Sequence, residues 1–464
     1  MAPAETRKTQ ALIVGGGPVG VFTALILARN GIEITLVEER EEVDMAPRSM
    51  AFQPSALAEM VEAGVYEDVY RDSVKNAVIS WWKAGHGYNK QHLATISTTE
   101  GDQPFLTGLN CSQSDFTKIV LQHLRKEPTA TVLFGHRITS IPHSSGESVR
   151  ATVAKAGAQD AALDNVMEIE ASWLIGADGG RSLVRAECGI AFEGFTWPKE
   201  QFVATNVYYP FDKYGFTNRN FIIDSVNWAV VAKINNDGLW RVAYGSKPGM
   251  TQDQILEELP ERFKNFLPGP GEGYTVLQAN SYRPHQRCAA RFRKGRVILV
   301  GDAAHLNNPI GGLGLTTGIL GAGPLARALS AVISGKAPES LLDRWEELRR
   351  KSWHEQTNKQ SIEFKRIAQQ GGHGADPDGI WKHDDVAEKN GMIAHMVNAN
   401  PDAKEKDEAL YRALQNPENG RAMRRRVWGL ALPVDWMADY EDPDVVTRRG
   451  DLRPVEAPIR SGSN

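Results

Sequence analysis

The chain has 464 residues, with 53 basic and 57 acidic side chains and a formal net charge of −4. This near balance argues against a nucleic acid partner. No apolar run approaches the roughly 20 residues of a membrane span, the N-terminus has no signal-peptide pattern, and the three cysteines lack metal-site spacing. We therefore expect a cytoplasmic protein, monomer or homodimer, without metal, nucleic acid or transmembrane segment. One basic cluster is interpreted as a solvated helix face or as a set of intramolecular ion pairs: Arg421, Arg424, Arg425 and Arg426.

The chain opens on a hydrophobic strand, residues 11–14, that ends in a glycine-rich turn before a helix over residues 21–30. In such a turn the first glycine permits the sharp bend, the second lets the backbone approach a pyrophosphate, and the third lets the helix pack on the strand. The turn residues expected to face a cofactor are Gly15, Gly17, Pro18, Val19 and Gly20.

The second predicted strand, residues 34–39, ends in the acidic residues Glu38 and Glu39. Glu38 falls at about the distance from the glycine turn expected of a ribose ligand. The alternative is a solvated acidic strand end, but strand, glycines, helix and acid in this register favour a dinucleotide site.

Two strands farther along the chain end in the same way. Residues 173–176 lead into Asp178 and Gly179, and residues 296–300 lead into Gly301 and Asp302. A hydrophobic strand that stops at glycine before a helix is where a doubly wound sheet binds its ligand. The three segments together predict an α/β protein with a Rossmann-like dinucleotide-binding domain.

These segments resemble the motifs of the flavoprotein aromatic hydroxylases, the class A FAD-dependent monooxygenases that include para-hydroxybenzoate hydroxylase and phenol hydroxylase. Residues 176–185 resemble the family's Asp-Gly motif, and residues 301–318 resemble its Gly-Asp motif and flavin-ring loop. Residues 48–54 and 111–116 match two weaker signatures. The resemblance covers about residues 8–345 and implies FAD as the cofactor, with NAD(P)H as the reductant.

The resemblance also implies a role for each matching residue along the cofactor. Glu38 binds the adenosine ribose, and Arg48 and Gln113 lie along the pyrophosphate and ribityl chain. Asp178, followed by Gly179, sits near the pyrophosphate and on the approach path of NAD(P)H.

At the other end of the cofactor, Asp302 is implied to accept hydrogen bonds from ribityl hydroxyls. A helix N-cap is the alternative role for this residue and is compatible with ribityl contact. The flavin-ring loop opens a helix whose free amides and positive dipole end suit the negative charge of a reduced flavin. The amides implied to face the ring are those of Gly312, Leu313, Gly314 and Leu315.

The flavin-ring loop departs from the family pattern at four positions. Leu313 and Thr316 stand where the family usually has a polar residue and Asn. Gly321 and Pro324 stand where the following helix usually carries Asp and Asn. Because proline removes a backbone donor, we expect Pro324 to kink this helix.

Between the second and third motifs, the hydrophobic pattern changes to a period of two. Four such runs between residues 202 and 244 predict an antiparallel sheet, followed by a helix over residues 251–265. Residues 81–108 are interpreted as a hairpin or loop. The predicted domains are a discontinuous FAD-binding domain over residues 8–200 and 283–345, an inserted β-sheet substrate domain over residues 201–282, and a C-terminal helical and loop region over residues 346–464.

The inserted sheet is expected to cover the flavin ring and to form a dry pocket for substrate. For each aromatic residue taken singly, a packing role is the alternative, since Trp and Tyr on strands usually pack. No residue is singled out as a catalytic base. The candidate pocket residues are Tyr208, Trp228, Arg241, Tyr244 and Tyr282.

The resemblance implies NAD(P)H- and O₂-dependent hydroxylation of an electron-rich aromatic small molecule through a flavin C4a-hydroperoxide. A phenol is expected, including the fused polyketide type of secondary metabolism. A Baeyer–Villiger or ring-rearranging monooxygenase of the same fold is one alternative. A non-catalytic FAD-binding redox protein is another, and the intact Gly-Asp motif and the insertion argue against it.

Overall fold

The structure is a computed structural model. It describes residues 6–85, 88–97, 107–141, 146–157, 166–269 and 271–369. The basic cluster at 421–426 and most of the predicted C-terminal region lie outside the described residues. Of that region, residues 346–369 are described and are largely helical.

A mainly parallel sheet carries the glycine-rich turns, as the sequence predicts. Its parallel strands, from one edge to the other, are Val297–Leu299, Val166–Gly176, Thr6–Val14, Ile34–Glu38 and Ala130–Phe134. Three antiparallel strands extend it: Arg293–Lys294 pairs with the first strand, Val149–Lys155 pairs with Val166–Gly176, and His136–Ser140 pairs with Val149–Lys155. The three motif-bearing strands lie side by side, and their turns therefore meet at one edge.

Helices and short helical turns connect these strands. The α-helices of the described residues are Pro18–Arg29, Pro54–Glu62, Tyr66–Arg71, Gln113–Leu124, Leu183–Glu187, Gln252–Phe266, Leu313–Ile333, Ser340–Ser352 and Asn358–Ala368. Two 3₁₀ turns span Phe211–Tyr214 and Gly301–Ala303, and one π-helical turn spans Trp353–Thr357.

Helix Leu313–Ile333 corrects one expectation from sequence. At 21 residues it is long and apolar enough, by length and composition alone, to cross a membrane, so the statement that no run approaches this length is wrong. However, 83% of its most apolar window is buried inside the protein. It packs against helices Pro18–Arg29 and Pro54–Glu62, as the core helix of a globular domain does.

The same helix continues through Pro324 without a break. In the turn before the proline, the Trp345 indole N–H donates to the carbonyl oxygen of Gly321 at 3.1 Å. One turn later, Arg327 Nη1 pairs with Glu59 Oε2 at 2.8 Å and thereby ties the helix to its neighbour. Contacts from two other helices therefore hold the segment around the proline.

A seven-stranded sheet carries the strands of the predicted insertion. Its order is Thr275–Tyr282, Gln201–Tyr208, Leu239–Ser246, Ala229–Lys233, Arg219–Ile223, Val78–Ala84 and Lys90–Ser97. The second to fifth strands confirm the predicted antiparallel sheet of four strands, and Thr275–Tyr282 adds a fifth that was not predicted. The last two form the hairpin predicted within residues 81–108, and Val78–Ala84 pairs in parallel with Arg219–Ile223. The sheet therefore includes a segment far upstream of residues 201–282.

Two three-stranded sheets complete the described β-structure. One contains Phe192–Thr196, His285–Ala289 and His305–Leu306, and the other Ala51–Phe52, Gly108–Asn110 and Val74–Asn76. The second is tied to the seven-stranded sheet because the side-chain amide of Asn110 donates to the carbonyl oxygens of Asn218 and Lys233, each at 3.0 Å.

Candidate active site

The first glycine turn packs too closely for side chains at two positions. A Cβ on Gly15, which has a φ of 111°, would lie 2.4 Å from the carbonyl oxygen of Ala177, and a Cβ on Gly20 would lie 2.0 Å from the carbonyl oxygen of Gly15. By contrast, nothing lies within 4 Å of a Cβ on Gly17. The turn therefore presses its first and third glycines into the protein and leaves open space at the second, where the sequence predicts a pyrophosphate.

Val19 joins the first turn to the third. A Cβ on Gly301 would lie 3.0 Å from Val19 Cγ1, and a Cβ on Gly318 would lie 2.6 Å from Val19 Cγ2. The two glycines thus form a groove that this valine fills. The three motifs, separate in sequence, form one surface.

Glu38 reaches back to the first turn. Its Oε2 accepts the N–H of Gly16 at 2.5 Å, and its Oε1 accepts the N–H of Arg40 at 3.0 Å. A carboxylate has about four acceptor positions, so capacity for a ribose hydroxyl remains. Glu39 lies just past the strand end with its side chain exposed.

A backbone hydrogen bond next to Arg48 brings Arg48 and Gln113 close together. The N–H of Gln113 donates to the carbonyl oxygen of Ser49 at 3.0 Å, while the Arg48 guanidinium pairs with Asp44 at 2.9 Å. Ion pairing to Arg48 and Arg40 and a backbone hydrogen bond keep the pKa of Asp44 below its usual range, against burial.

Asp178 supports the second turn. Its carboxylate accepts the hydroxyl of Ser182 and, at 3.0 Å, the N–H of Val184. Burial raises the pKa of this carboxyl, while these hydrogen bonds act against the rise. Gly179 follows at a φ of 79° with open space beside it.

The Asp302 side chain accepts no hydrogen bond from the described residues. Its side chain is accessible, yet the protein around it removes enough hydration to raise the pKa of the carboxyl, against the positive charge of Arg48. The surrounding protein therefore displaces part of the water around this accessible carboxylate. This arrangement leaves it free to accept hydrogen bonds from a ligand.

The flavin-ring loop ends in two glycines with positive φ, Gly311 at 97° and Gly312 at 66°. Gly312 caps helix Leu313–Ile333, and no side chain caps its first turn. The amides of Leu313, Gly314 and Leu315 belong to this turn. Such a helix start presents unpaired N–H donors and a positive dipole end.

Gln53 holds this loop, and sequence reasoning did not find it. Its backbone N–H donates to Thr316 Oγ1 at 3.0 Å, and its side-chain amide donates to the carbonyl oxygen of Gly311 at 3.1 Å. Thr316, one of the departures from the family pattern, therefore anchors the loop to the segment that follows Arg48. The only signal in the sequence was the position of Gln53 within the matched residues 48–54.

One face of the seven-stranded sheet turns towards the flavin-ring loop, because Ile310 of the loop packs with Phe202, Phe221 and Trp228 of the sheet. Asn206 lies on the same face as Phe202, because the two are four residues apart on one strand. Arg241 pairs in register with Asn206 and donates to its side chain at 2.8 Å, so Arg241 lies on this face as well. A further guanidinium N–H of Arg241 donates to the carbonyl oxygen of Arg48.

Arg241 and Tyr282 influence each other electrostatically on this face. Arg241 is 7% exposed and makes no ion pair with a described carboxylate, and burial lowers its pKa to about 10. Burial raises the pKa of Tyr282 to about 12, against the positive charge of Arg241. The structure thus brings a buried cation and a phenol together near the flavin-ring loop.

The other candidate pocket residues are placed differently. Trp228 is 3% exposed and packs edge-to-face with Phe202 at 4.9 Å. Tyr208 is 38% exposed at the end of its strand. Tyr244 lies on the opposite face, packed against Phe266 of helix Gln252–Phe266. The structure does not bring Tyr244 to the side that meets the flavin-ring loop.

These residues fit FAD. Open space at Gly17, an unpartnered carboxylate at Asp302 and an uncapped helix start after Gly312 match a pyrophosphate, ribityl hydroxyls and the polar edge of a flavin. Within the described ranges, no three His, Cys, Asp or Glu side chains are placed to hold a metal ion.

Comparison with known proteins identifies the family and relatives of this chain. The model of a family described as FAD binding domain matches residues 8–359. Para-nitrophenol 4-monooxygenase of Pseudomonas sp. (strain WBC-3) is 38% identical over 351 residues, 75% of this chain and 84% of that protein. The 6-hydroxy-3-succinoylpyridine 3-monooxygenase of Pseudomonas putida is 35% identical over 75% of this chain and 86% of its own length.

A solved structure extends the match. The crystal structure of p-nitrophenol 4-monooxygenase from Pseudomonas putida DLL-E4 superposes with a TM-score of 0.79 and 32% identity, covering 92% of this chain and 98% of that one. The geometry of the glycine turns and these relatives lead to one assignment. The chain belongs to the FAD-binding monooxygenase family and is an FAD-dependent aromatic hydroxylase.

Proposed function

We propose that this enzyme hydroxylates a single-ring phenol with an electron-withdrawing para substituent, of which para-nitrophenol is the model. The relative named for para-nitrophenol is 38% identical and is covered over 84% of its length. A solved hydroxylase of the fused-ring substrate aklavinone is 25% identical with a TM-score of 0.69, which supports the fused polyketide type less.

The observation that carries the proposal is the buried guanidinium of Arg241. A buried cation without a carboxylate partner is costly, and an anionic ligand offsets this cost. A nitro group makes its phenol acidic, so the phenolate is abundant near neutral pH. We assign Arg241 to the phenolate oxygen, with the Tyr282 hydroxyl as a second hydrogen-bond donor.

We assign the FAD contacts as follows. Gly17 and the start of helix Pro18–Arg29 hold the pyrophosphate, Glu38 the adenosine ribose, and Asp302 the ribityl chain. The amides from Gly312 to Leu315 hold the polar edge of the flavin ring. When bound, FAD supplies the two-electron chemistry by which NAD(P)H and O₂ place one oxygen atom on the substrate and release the other as water.

An aromatic cluster keeps this side of the sheet dry. Trp81 stacks on Phe221 at 4.6 Å, and Phe202, Trp228 and Ile310 are each at most 3% exposed. Excluding water strengthens the attraction between Arg241 and a phenolate. We further propose a cytoplasmic location, in keeping with three free thiols. We also propose that the protein is a monomer or a homodimer.

The test uses the FAD-loaded enzyme with NADH or NADPH under ¹⁸O₂. Para-nitrophenol, unsubstituted phenol and a fused-ring polyketide phenol are compared by kcat/KM and by mass spectrometry of the products. We expect one ¹⁸O atom per product molecule and the highest kcat/KM with para-nitrophenol. Turnover confined to the fused-ring phenol would contradict the assigned substrate class, and products without ¹⁸O would contradict hydroxylation by O₂.

A further inference from the structure

Helix Asn358–Ala368 lies almost wholly beyond residues 8–359, which match the family model, and it contacts the flavin-ring loop. The ring of Phe364 rests on Gly311, because a Cβ on this glycine would lie 2.7 Å from Phe364 Cδ2. Gly311 has a φ of 97°. The aromatic ring therefore occupies the space that a side chain at Gly311 would need.

The end of the helix fastens the flavin-ring loop to the seven-stranded sheet. Ile367 and Ala368 are buried in one cluster with Ile310 of the loop and Phe221 of the sheet. The carbonyl oxygen of Ala368 accepts the N–H of Asp224 at 3.2 Å, just past strand Arg219–Ile223. The helix thus contacts both sides of the place assigned to the flavin ring and phenol.

Gln286, only 1% exposed, joins the start of the helix to the loop. Its amide N–H groups donate to Asn358 Oδ1 at 2.8 Å and to Ser361 Oγ at 2.7 Å, while its carbonyl accepts the N–H of Asn308 at 3.0 Å. A buried amide with its donors and acceptor all engaged fixes the relative position of the groups it binds.

An ion pair fixes the helix on a second side. Lys365 Nζ donates to Glu200 Oε1 at 2.6 Å and lies 4.7 Å from the centre of the Trp197 ring, with the lysine side chain 2% exposed. The helix also follows a π-helical turn, Trp353–Thr357, and such turns frequently occur at functional sites. Phe364 is therefore held by its helix at a set distance from Gly311.

We propose that Phe364 is a positioning residue for the flavin-ring loop, and that it sets the loop so that oxygen passes to the phenol. The proposal rests on the assigned place of the flavin ring at this loop. Without the Phe364 ring, Gly311 can shift towards the helix, and small misplacements in an active site reduce reaction efficiency strongly. Reduced enzyme then gives hydrogen peroxide, as NAD(P)H, a proton and O₂ become NAD(P)⁺ and H₂O₂.

The test measures hydroxylated product and hydrogen peroxide per NAD(P)H consumed, with para-nitrophenol and the FAD-loaded enzyme. We expect F364A to keep bound FAD and NAD(P)H oxidation but to lose about threefold or more of its product yield, with a matching rise in peroxide. F364Y keeps the ring and is expected to restore the parent yield. I362A is the matched control, because Ile362 is buried on the same helix outside the cluster with Ile310.

A parent-like product yield in F364A would overturn the proposal, as would an equal loss in I362A. If F364A does not fold, F364L decides by the same ratio, because leucine stays apolar but removes the ring over Gly311. A parent enzyme that forms no product, or no bound FAD, would instead contradict the proposed function, so the two failures are distinguishable.

Discussion

Arg241 donates a hydrogen bond to the main-chain carbonyl oxygen of Arg48, and this contact joins the seven-stranded sheet to the segment beside Asp302. A ligand that binds the Arg241 guanidinium would therefore contact a side chain that is already hydrogen-bonded to the main chain of Arg48. Substrate binding and cofactor position are expected to be coupled through this residue.

Replacing Arg241 by methionine is expected to lower kcat/KM for para-nitrophenol about ten- to a hundredfold, because a hydrogen bond to a charged group contributes about 1.5–3 kcal/mol. The measurement is kcat/KM against pH, since loss of the cation should also weaken the preference for the phenolate. R219M is the matched control, because Arg219 is equally buried on the same face two strands away. Equal effects of the two variants would exclude a direct role for Arg241.

Replacing Asp302 by alanine is expected to weaken FAD binding about ten- to a hundredfold while costing little stability. The carboxylate accepts no hydrogen bond from the described residues, so the folded protein loses only the attraction of Asp302 to Arg48. Titration of the apoprotein with FAD, followed by flavin fluorescence, gives the affinity, and D237A provides an exposed control. Unchanged affinity, or a stability loss of about 1 kcal/mol alone, would indicate a capping role instead.

Replacing Gly318 by alanine is expected to destabilise the FAD site by about 1–3 kcal/mol, because the new methyl group would meet Val19 Cγ2 at 2.6 Å. The double variant V19A/G318A should recover most of this loss, which a double-mutant cycle in urea unfolding and FAD affinity would measure. G321A on the same helix is the control, since its Cβ would meet its nearest neighbour at 3.7 Å. Additive effects of V19A and G318A would contradict the contact.

His305 is expected to make stability depend on pH. Burial lowers its pKa from 6.5 to about 3. Between these values the unfolded chain binds a proton that the folded protein does not, so the free energy of unfolding should fall as pH decreases from about 6.5 towards 3. H305F should reduce this slope, measured as urea midpoints at several pH values in excess FAD. The same slope in both proteins would place the pH dependence elsewhere.

The parallel strands and glycine turns could be predicted because their signal is local. A hydrophobic run, a glycine at a fixed offset and the next helix all lie within about 30 residues of sequence. The alternating pattern likewise predicted the four antiparallel strands between residues 202 and 244. Their faces could have been read more closely: Arg241 and Tyr244 are an odd number of residues apart on one strand, so they point to opposite sides.

The contacts that hold the flavin-ring loop could not be predicted in this way. Gln53 meets Thr316, Gln286 meets Asn358, and Gly311 meets Phe364, and no local pattern shows which residues form each pair. Long-range pairs of this kind depend on the tertiary fold. For the same reason, the sequence could not show that residues 78–97 join the sheet of residues 201–282.

This sheet cannot be transplanted as one continuous piece of chain. Its strand Arg219–Ile223 is flanked on one side by Ala229–Lys233 and on the other by Val78–Ala84, which lies some way upstream. A chimera that exchanges only residues 201–282 with a relative keeps a hairpin shaped for a different neighbour. Such a mismatch exposes backbone groups along Arg219–Ile223 and invites aggregation. A chimera of two family members that is designed to exchange this sheet should therefore exchange residues 78–97 together with residues 201–282.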